Sequence, residues 1–316
     1  MRQRRSDYDV TDSVKTTDAG QVSAEVRRIY LDLFRKADLT ALDRSFVDLT
    51  TLYAGENPRY RPCDTSYHDM QHVMDVTLAM ARLMHGYKRA GRERLDARLF
   101  SLGIVLALFH DCGYIRHRND SRHANGAEYT LSHVSRGARY LRKYLPQIGL
   151  GEFAQMGPRV IHFTGYEVPV AKIRLKDPVF RVMGNLLGSA DILAQMADRC
   201  YLEKCHDRLF PEFELGGVAR RRTASGQEEI VFASAADLIA KTPGFYESAA
   251  HRLDDLLEGA YRYVEPHFGG DNHYVTAVEQ NINYARKLAA PGTKPKKLRR
   301  RPPRVVPVAQ GQLEFS

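Results

Sequence analysis

The sequence predicts an all-α fold: one large helical domain, with a small β-hairpin near 218–233 as its only extended element. Three observations point there. Apolar residues recur at three- and four-residue spacing through most of the chain, prolines fall between these segments or in their first turns, and no internal repeat breaks the chain into units. With 316 residues and 43% hydrophobic content, the chain can bury a sizeable core.

Residues 1–20 are polar and lack periodicity, so they are expected to be disordered, with the helical domain running over 21–290. Val22, Val26, Ile29 and Leu33 form the first stripe, widened by Tyr30 and Phe34, and "ALDRSFVDLTTLYAG" gives a second helix. A turn-rich loop, "GENPRYRPCDTS", separates these from helical patterns at 68–90, 95–112, 123–145, 158–164, 178–206, 246–264 and 275–289. Between the last three, "VARRRTASGQEEIVFA" carries a Ser-Gly turn between a polar run and "IVF", the pattern of a hairpin.

Composition bounds the function. The longest apolar run, "LFSLGIVLALF" (99–109), is far too short to span a bilayer, so no membrane partner is expected. The N-terminus has no apolar stretch of the secretory kind, and Cys63, Cys112, Cys200 and Cys205 form no CxxC pair; they read as reduced thiols of a cytoplasmic protein. The net charge is +9, but "KPKKLRRRPPR" (294–304) supplies seven of those charges and no acid. The basic character therefore belongs to a Pro-rich tail over 291–316, read as disordered, for which nucleic-acid contact is the less favoured role.

The chemistry starts in "SYHDMQHVMDV" (66–76). On a helix His68, His72 and Asp75 would share one face. "LALFHDCGY" (106–114) then ends a very apolar helix in adjacent His110 and Asp111. An acid in such surroundings is costly unless paired or bound to a metal, and imidazole with carboxylate suits Zn, Mn, Fe or Mg. His133 in "LSHVSRGARYL" and His162 in "RVIHFTGY" are single histidines among apolar neighbours. Asp191 borders the core stripe of "NLLGSADILAQMADR", with Gln195 and Asp198 following at i+4 and i+7. Arg116, Arg118 and Arg122 follow the His-Asp pair, where they could grip phosphate or form a solvated loop.

Taken in order, His72, His110-Asp111, His133, His162 and Asp191 resemble the pattern of the HD-domain metal-dependent phosphohydrolase superfamily. "YHDMQHVMDV" is similar to the Tyr-His-Asn-x-x-His-x-x-Asp-Val motif of its cyclic-nucleotide phosphodiesterase branch, with Asp69 in place of asparagine. The resemblance covers roughly 60–205. It implies a helical domain of that type holding two divalent metal ions. His72, His110, Asp111 and Asp191 would ligate the first, and Asp111 would bridge to a second held by His133 and His162. His68 matches the histidine that protonates the leaving oxygen, and Asp75 reads as a residue orienting an imidazole. His123, in "SRHANGA", competes with His133 for its place.

The chain departs from that branch at Tyr114, where the branch has a further histidine. No match to its purine-clamping glutamine is found; Gln280 lies nearby in an unlike context. The resemblance implies hydrolysis of a small phosphorylated or nucleotide-like substrate. A di-iron oxygenase on the same scaffold, or a metal-bound nucleotide sensor without turnover, are the alternatives.

Overall fold

The computed structural model describes residues 4–92, 94–222, 226–289 and 298–304. It is helical almost throughout: α1 (Ala19–Leu33), α2 (Thr40–Tyr53), α3 (Met70–Arg89), α4 (Ala97–Phe109), α5 (His133–Tyr144), the short α6 (Gly157–Val160), α7 (Pro178–Ala197), α8 (Tyr201–Lys204), α9 (Phe210–Leu215), α10 (Ala235–His251), α11 (Val264–Phe268) and α12 (His273–Ala289). The expected hairpin is present, with Arg220–Arg222 antiparallel to Glu228–Ile230. Among the described residues, no helix is long and apolar enough to cross a membrane.

The centre of the fold is α3, which packs against α1, α4, α7 and α11. Its burial is nearly complete from Gln71 to Tyr87, and α4 is buried from Leu99 to Phe109. Helices enclosed on all sides are apolar all round, which is why "LFSLGIVLALF" shows no polar face. Asp69 caps α3, its carboxylate accepting the His72 N–H at 3.0 Å. Aspartate and asparagine cap equally well, so the departure from the motif at this position keeps the cap.

The segment before α1, expected to be disordered, is instead folded onto the core over its described part. Asp9 accepts the Ser13 and Val14 N–H groups, both at 2.9 Å, and pairs with buried Arg82 at 2.6 Å. The tail is likewise docked over residues 298–304: the Arg300 N–H reaches Glu203 at 3.0 Å and its guanidinium reaches Asn281 Oδ1 at 2.6 Å. The rest of the tail expectation lies outside the described residues. Arg4 near the start of the described residues and Arg300 near their end converge on the C-terminus of α7. Arg4 donates to the Ala197 carbonyl, Arg300 to that of Arg199, and Asn281 to those of Met196 and Asp198. Cations and amide donors there satisfy carbonyls that a helix end leaves without partners.

Several helix boundaries differ from the periodicity. The stretch 123–132 is a loop with a 3-10 turn, because Asn125 and Glu128 close a capping box over Gly126–Tyr129. The long helix expected over 178–206 stops at Ala197, and Asp198 turns out of it with ψ 132°. Conversely α10 begins at Ala235, well before the expected start at 246. Ser234 caps it by accepting the Asp237 N–H, and Pro243 is accommodated inside it.

A hydrogen-bonded relay links α1, α3 and α11, with His85 buried, His267 half-buried and Asp32 exposed. His85 Nε2 donates to Asp32 at 3.0 Å, which leaves its Nδ1 to accept from His267 Nδ1, also at 3.0 Å. Burial, Arg82, His85, Arg28 and Arg89 together push the His267 pKa down from 6.5 to about 3. A depressed histidine contributes stability that is complete above its unfolded pKa and is lost as pH falls toward the folded one. We therefore expect stability measured by urea unfolding to decline from pH 6.5 toward 3, with a shallower decline in His267→Gln. An unchanged slope in the variant would contradict the relay.

Candidate metal centre

Four separate elements deliver the site. α3 brings His72, the end of α4 brings His110 and Asp111, the start of α5 brings His133, and α7 brings Asp191. His72 Nε2 lies 3.3 Å from Asp111 Oδ2 and 3.5 Å from Asp191 Oδ1. His110 Nε2 lies 3.1 Å from Asp111 Oδ2 and 3.9 Å from Asp191 Oδ1. On the other side of the carboxylate, His133 Nε2 is 3.6 Å from Asp111 Oδ1.

Two glycines make this convergence possible. A Cβ on Gly113 would sit 1.8 Å from the His133 carbonyl oxygen, so only glycine lets α5 press against the His-Asp turn. A Cβ on Gly188 would come within 2.7 Å of the Phe163 carbonyl, so α7 meets the loop of His162 at similarly close range.

The ring orientations are set by carbonyls. His110 Nδ1 donates to Ala107 at 2.8 Å and His133 Nδ1 donates to Thr130 at 2.7 Å. A carbonyl only accepts, so each Nδ1 carries a hydrogen and each Nε2 is turned toward Asp111. Yet His110 Nε2 and Asp111 Oδ2, both buried, have no aligned hydrogen-bond partner despite their 3.1 Å separation. Two unsatisfied buried polar atoms in such proximity are costly, and a shared cation removes that cost.

The electrostatics agree. Burial disfavours charge on His110, but Asp111 and Asp191 outweigh it and push its pKa up to about 9. Burial also opposes ionisation of Asp111, but the surrounding histidines hold its pKa well below the ordinary carboxylate range. The pocket thus keeps its carboxylate charged and attracts positive charge, whether proton or metal ion. His72, His110 and Asp111 form a cluster whose ligand atoms all lie within 4.8 Å of one another and could hold a metal ion.

The remaining residues divide. His162 lies in a 3-10 turn that packs against α5 and α7, half-buried, its Nδ1 without a partner. His123 is elsewhere, bonded to Asp120 at 3.1 Å and packed on Tyr129, so His133 is the one beside Asp111. Asp75 does not orient an imidazole: its hydrogen-bond partner is Thr16, and desolvation with Asp198 nearby pushes its pKa up to about 8. The reason is that α3 starts at Met70, so His68 precedes the helix and shares no face with Asp75. Asp198 leaves the face of Asp191 where α7 ends, and accepts from Lys204 Nζ at 2.5 Å. Gln195 is half-buried one turn beyond Asp191. Arg116 is held by Asp64 at 2.6 Å and Arg118 by the Gly55 carbonyl, while Arg122 is exposed, so this run braces and solvates a loop.

Glu212 is outside the residues expected at the site, whereas Tyr114 is a residue expected to line it or to contact substrate. Glu212 on α9 is buried and accepts from His68 Nδ1 at 2.6 Å and from the Tyr67 N–H. Its only signal is an acid set between aromatics in "LFPEFEL". Tyr114, meanwhile, is sandwiched between two imidazoles. Its ring stacks on His68 at 4.4 Å and on His133 at 4.3 Å, and its hydroxyl bonds Thr130. The position that departs from the motif thus acts as a spacer between those two histidines.

No family model, no curated protein and no solved structure matches this chain.

Proposed function

We propose that the protein is a metal-dependent phosphohydrolase acting on a small phosphomono- or phosphodiester, with nucleotide-like compounds as the substrate class. The observation that carries this reading is the pair of orphaned ligand atoms, His110 Nε2 and Asp111 Oδ2, with a carboxylate-backed histidine beside them. His72, His110, Asp111 and Asp191 would hold a divalent ion, and Asp111 Oδ1 with His133 and His162 would serve a second. Bound there, such ions neutralise phosphate charge and lower the pKa of water.

The chain's own contribution is positioning and proton supply. His68 lies between the metal ligands, its ring 5.7 Å from that of His72 and 6.3 Å from that of His133. Burial works against its charge, but Glu212 more than compensates and raises its pKa. With Nδ1–H committed to Glu212, Nε2 is the nitrogen free to hand a proton to a leaving oxygen. Tyr114 fixes the ring plane by stacking. This dyad favours hydrolysis over the di-iron oxygenase reading, because an oxygenation needs no leaving-group acid.

The purified protein with Mn²⁺ is expected to hydrolyse an aryl phosphodiester or a nucleotide, and a chelator should stop it. His68→Ala is expected to lower kcat by about a hundredfold or more while leaving metal content intact. Glu212→Gln should cost about ten- to hundredfold, the worth of one hydrogen bond to a charged group. Loss of metal from the His68 variant, or full activity in it, would contradict the assignment.

A further inference from the structure

Among the described residues, Tyr166 is the most solvent-exposed of the large hydrophobic side chains, at 70%. Singly exposed apolar residues are ordinary and need no explanation. This one differs in how it is held and where it lies. Its ring has one face on the guanidinium of Arg252, 4.5 Å from the ring centre. Arg252 is itself buried and fixed by the carbonyls of Phe163 at 2.7 Å and Gly165 at 3.0 Å. The next residue, Glu167, accepts the Val134 N–H at 2.8 Å and the Ser135 N–H at 3.1 Å. Tyr166 is therefore clamped on both sides along the chain, with its other face open.

The clamp ties the ring to the metal centre. Arg252 grips the loop that carries His162, and Glu167 grips the first turn of α5, whose first residue is His133. The charge of Asp191 also reaches the Tyr166 hydroxyl. A rigid ring with one free face, backed by a cation and tied to a site that would attract phosphate once it holds divalent cations, matches a ligand with a phosphate at one end and a planar ring at the other.

We propose that Tyr166 is a specificity-determining stacking platform that makes the site prefer phosphoesters bearing a planar heteroaromatic ring. The proposal rests on the phosphohydrolase reading above. It is tested by calorimetric binding of adenosine 5′-monophosphate and ribose 5-phosphate to the full chain with Mn²⁺, in the wild type, Tyr166→Ala and Tyr166→Phe.

The wild type should bind the nucleotide about tenfold or more tightly than the sugar phosphate, within the range of base–aromatic stacking. Tyr166→Ala should bring the nucleotide to the level of the sugar phosphate without altering the latter, and Tyr166→Phe should keep the preference. Unaltered ribose 5-phosphate binding also reports an intact fold and phosphate site. Equal affinities in the wild type, or an equal loss for both ligands in Tyr166→Ala, would overturn the platform while leaving the phosphohydrolase reading standing. Failure of the wild type to bind either compound would overturn both.

Discussion

Replacing Asp111 with alanine is expected to abolish hydrolysis, lowering activity by roughly a thousandfold or more, because the several kcal/mol of charge stabilisation at a metal centre depends on this carboxylate. Asp111 is the one residue that faces both halves of the site, with Oδ2 toward His72 and His110 and Oδ1 toward His133. Asp111→Asn keeps the shape but removes the charge that holds His110 near a pKa of about 9. It should therefore lose metal as the alanine variant does. Because the histidines around Asp111 can give up their protons when its charge is removed, both variants should fold, and thermal melting without metal separates loss of chemistry from loss of structure. Wild-type turnover in either variant would remove the site from consideration.

The largest effect on stability is expected at Asp9. Its ion pair with Arg82 is almost wholly enclosed, each side chain being 2% exposed, and Arg82 also donates to the Tyr274 hydroxyl at 3.0 Å. Asp9→Ala leaves a buried guanidinium without its counter-charge, a change that costs about 3–5 kcal/mol. It also frees the N–H groups that its carboxylate caps. The double variant Asp9→Asn, Arg82→Met should lose less than the sum of its parts, since no uncompensated charge is left behind. The pH dependence has a definite sign. Burial raises the Asp9 pKa, but Arg82 and the hydrogen bonds outweigh it and lower it from 3.8 to about 2. This stabilisation is present above pH 3.8 and fades as pH falls through 2. A melting temperature for Asp9→Ala equal to the wild type would show that the N-terminal segment is not anchored there.

That anchor also marks where sequence reasoning ran out. Residues 1–20 look unstructured because their organising contact is with a residue 73 positions away, and no local periodicity announces an ion pair. The tail is similar: Arg300 finds Glu203 and Asn281, which are remote in the chain. Pro243 and Gly244 concealed the first half of α10, since both are read as helix breakers, whereas tertiary packing tolerates them here. By contrast, His110 and Asp111 were legible because a polar pair at the end of a wholly apolar helix contradicts the local pattern. His72 was legible through its spacing within a motif.

Choosing His133 over His123 required knowing that Gly113 admits α5 to the His-Asp turn, a fact of three-dimensional contact. Asp75 and Asp198 illustrate the opposite error. Helical face arithmetic placed Asp75 with His68 and Asp198 with Asp191, but α3 begins two residues later than the pattern and α7 ends nine residues earlier, so neither pair shares a helix face. Glu212 could not be assigned from sequence, because its partner His68 is 144 residues away and a glutamate on a short helix is normally exposed.

The central claim is that His72, His110 and Asp111 bind a metal ion. Elemental analysis of the purified wild-type chain after equilibration with Mn²⁺ and removal of free metal, with His110→Ala measured alongside, tests it most directly. The account predicts at least one ion per wild-type chain and a marked loss in the variant; a wild-type content no higher than that of the variant would contradict it.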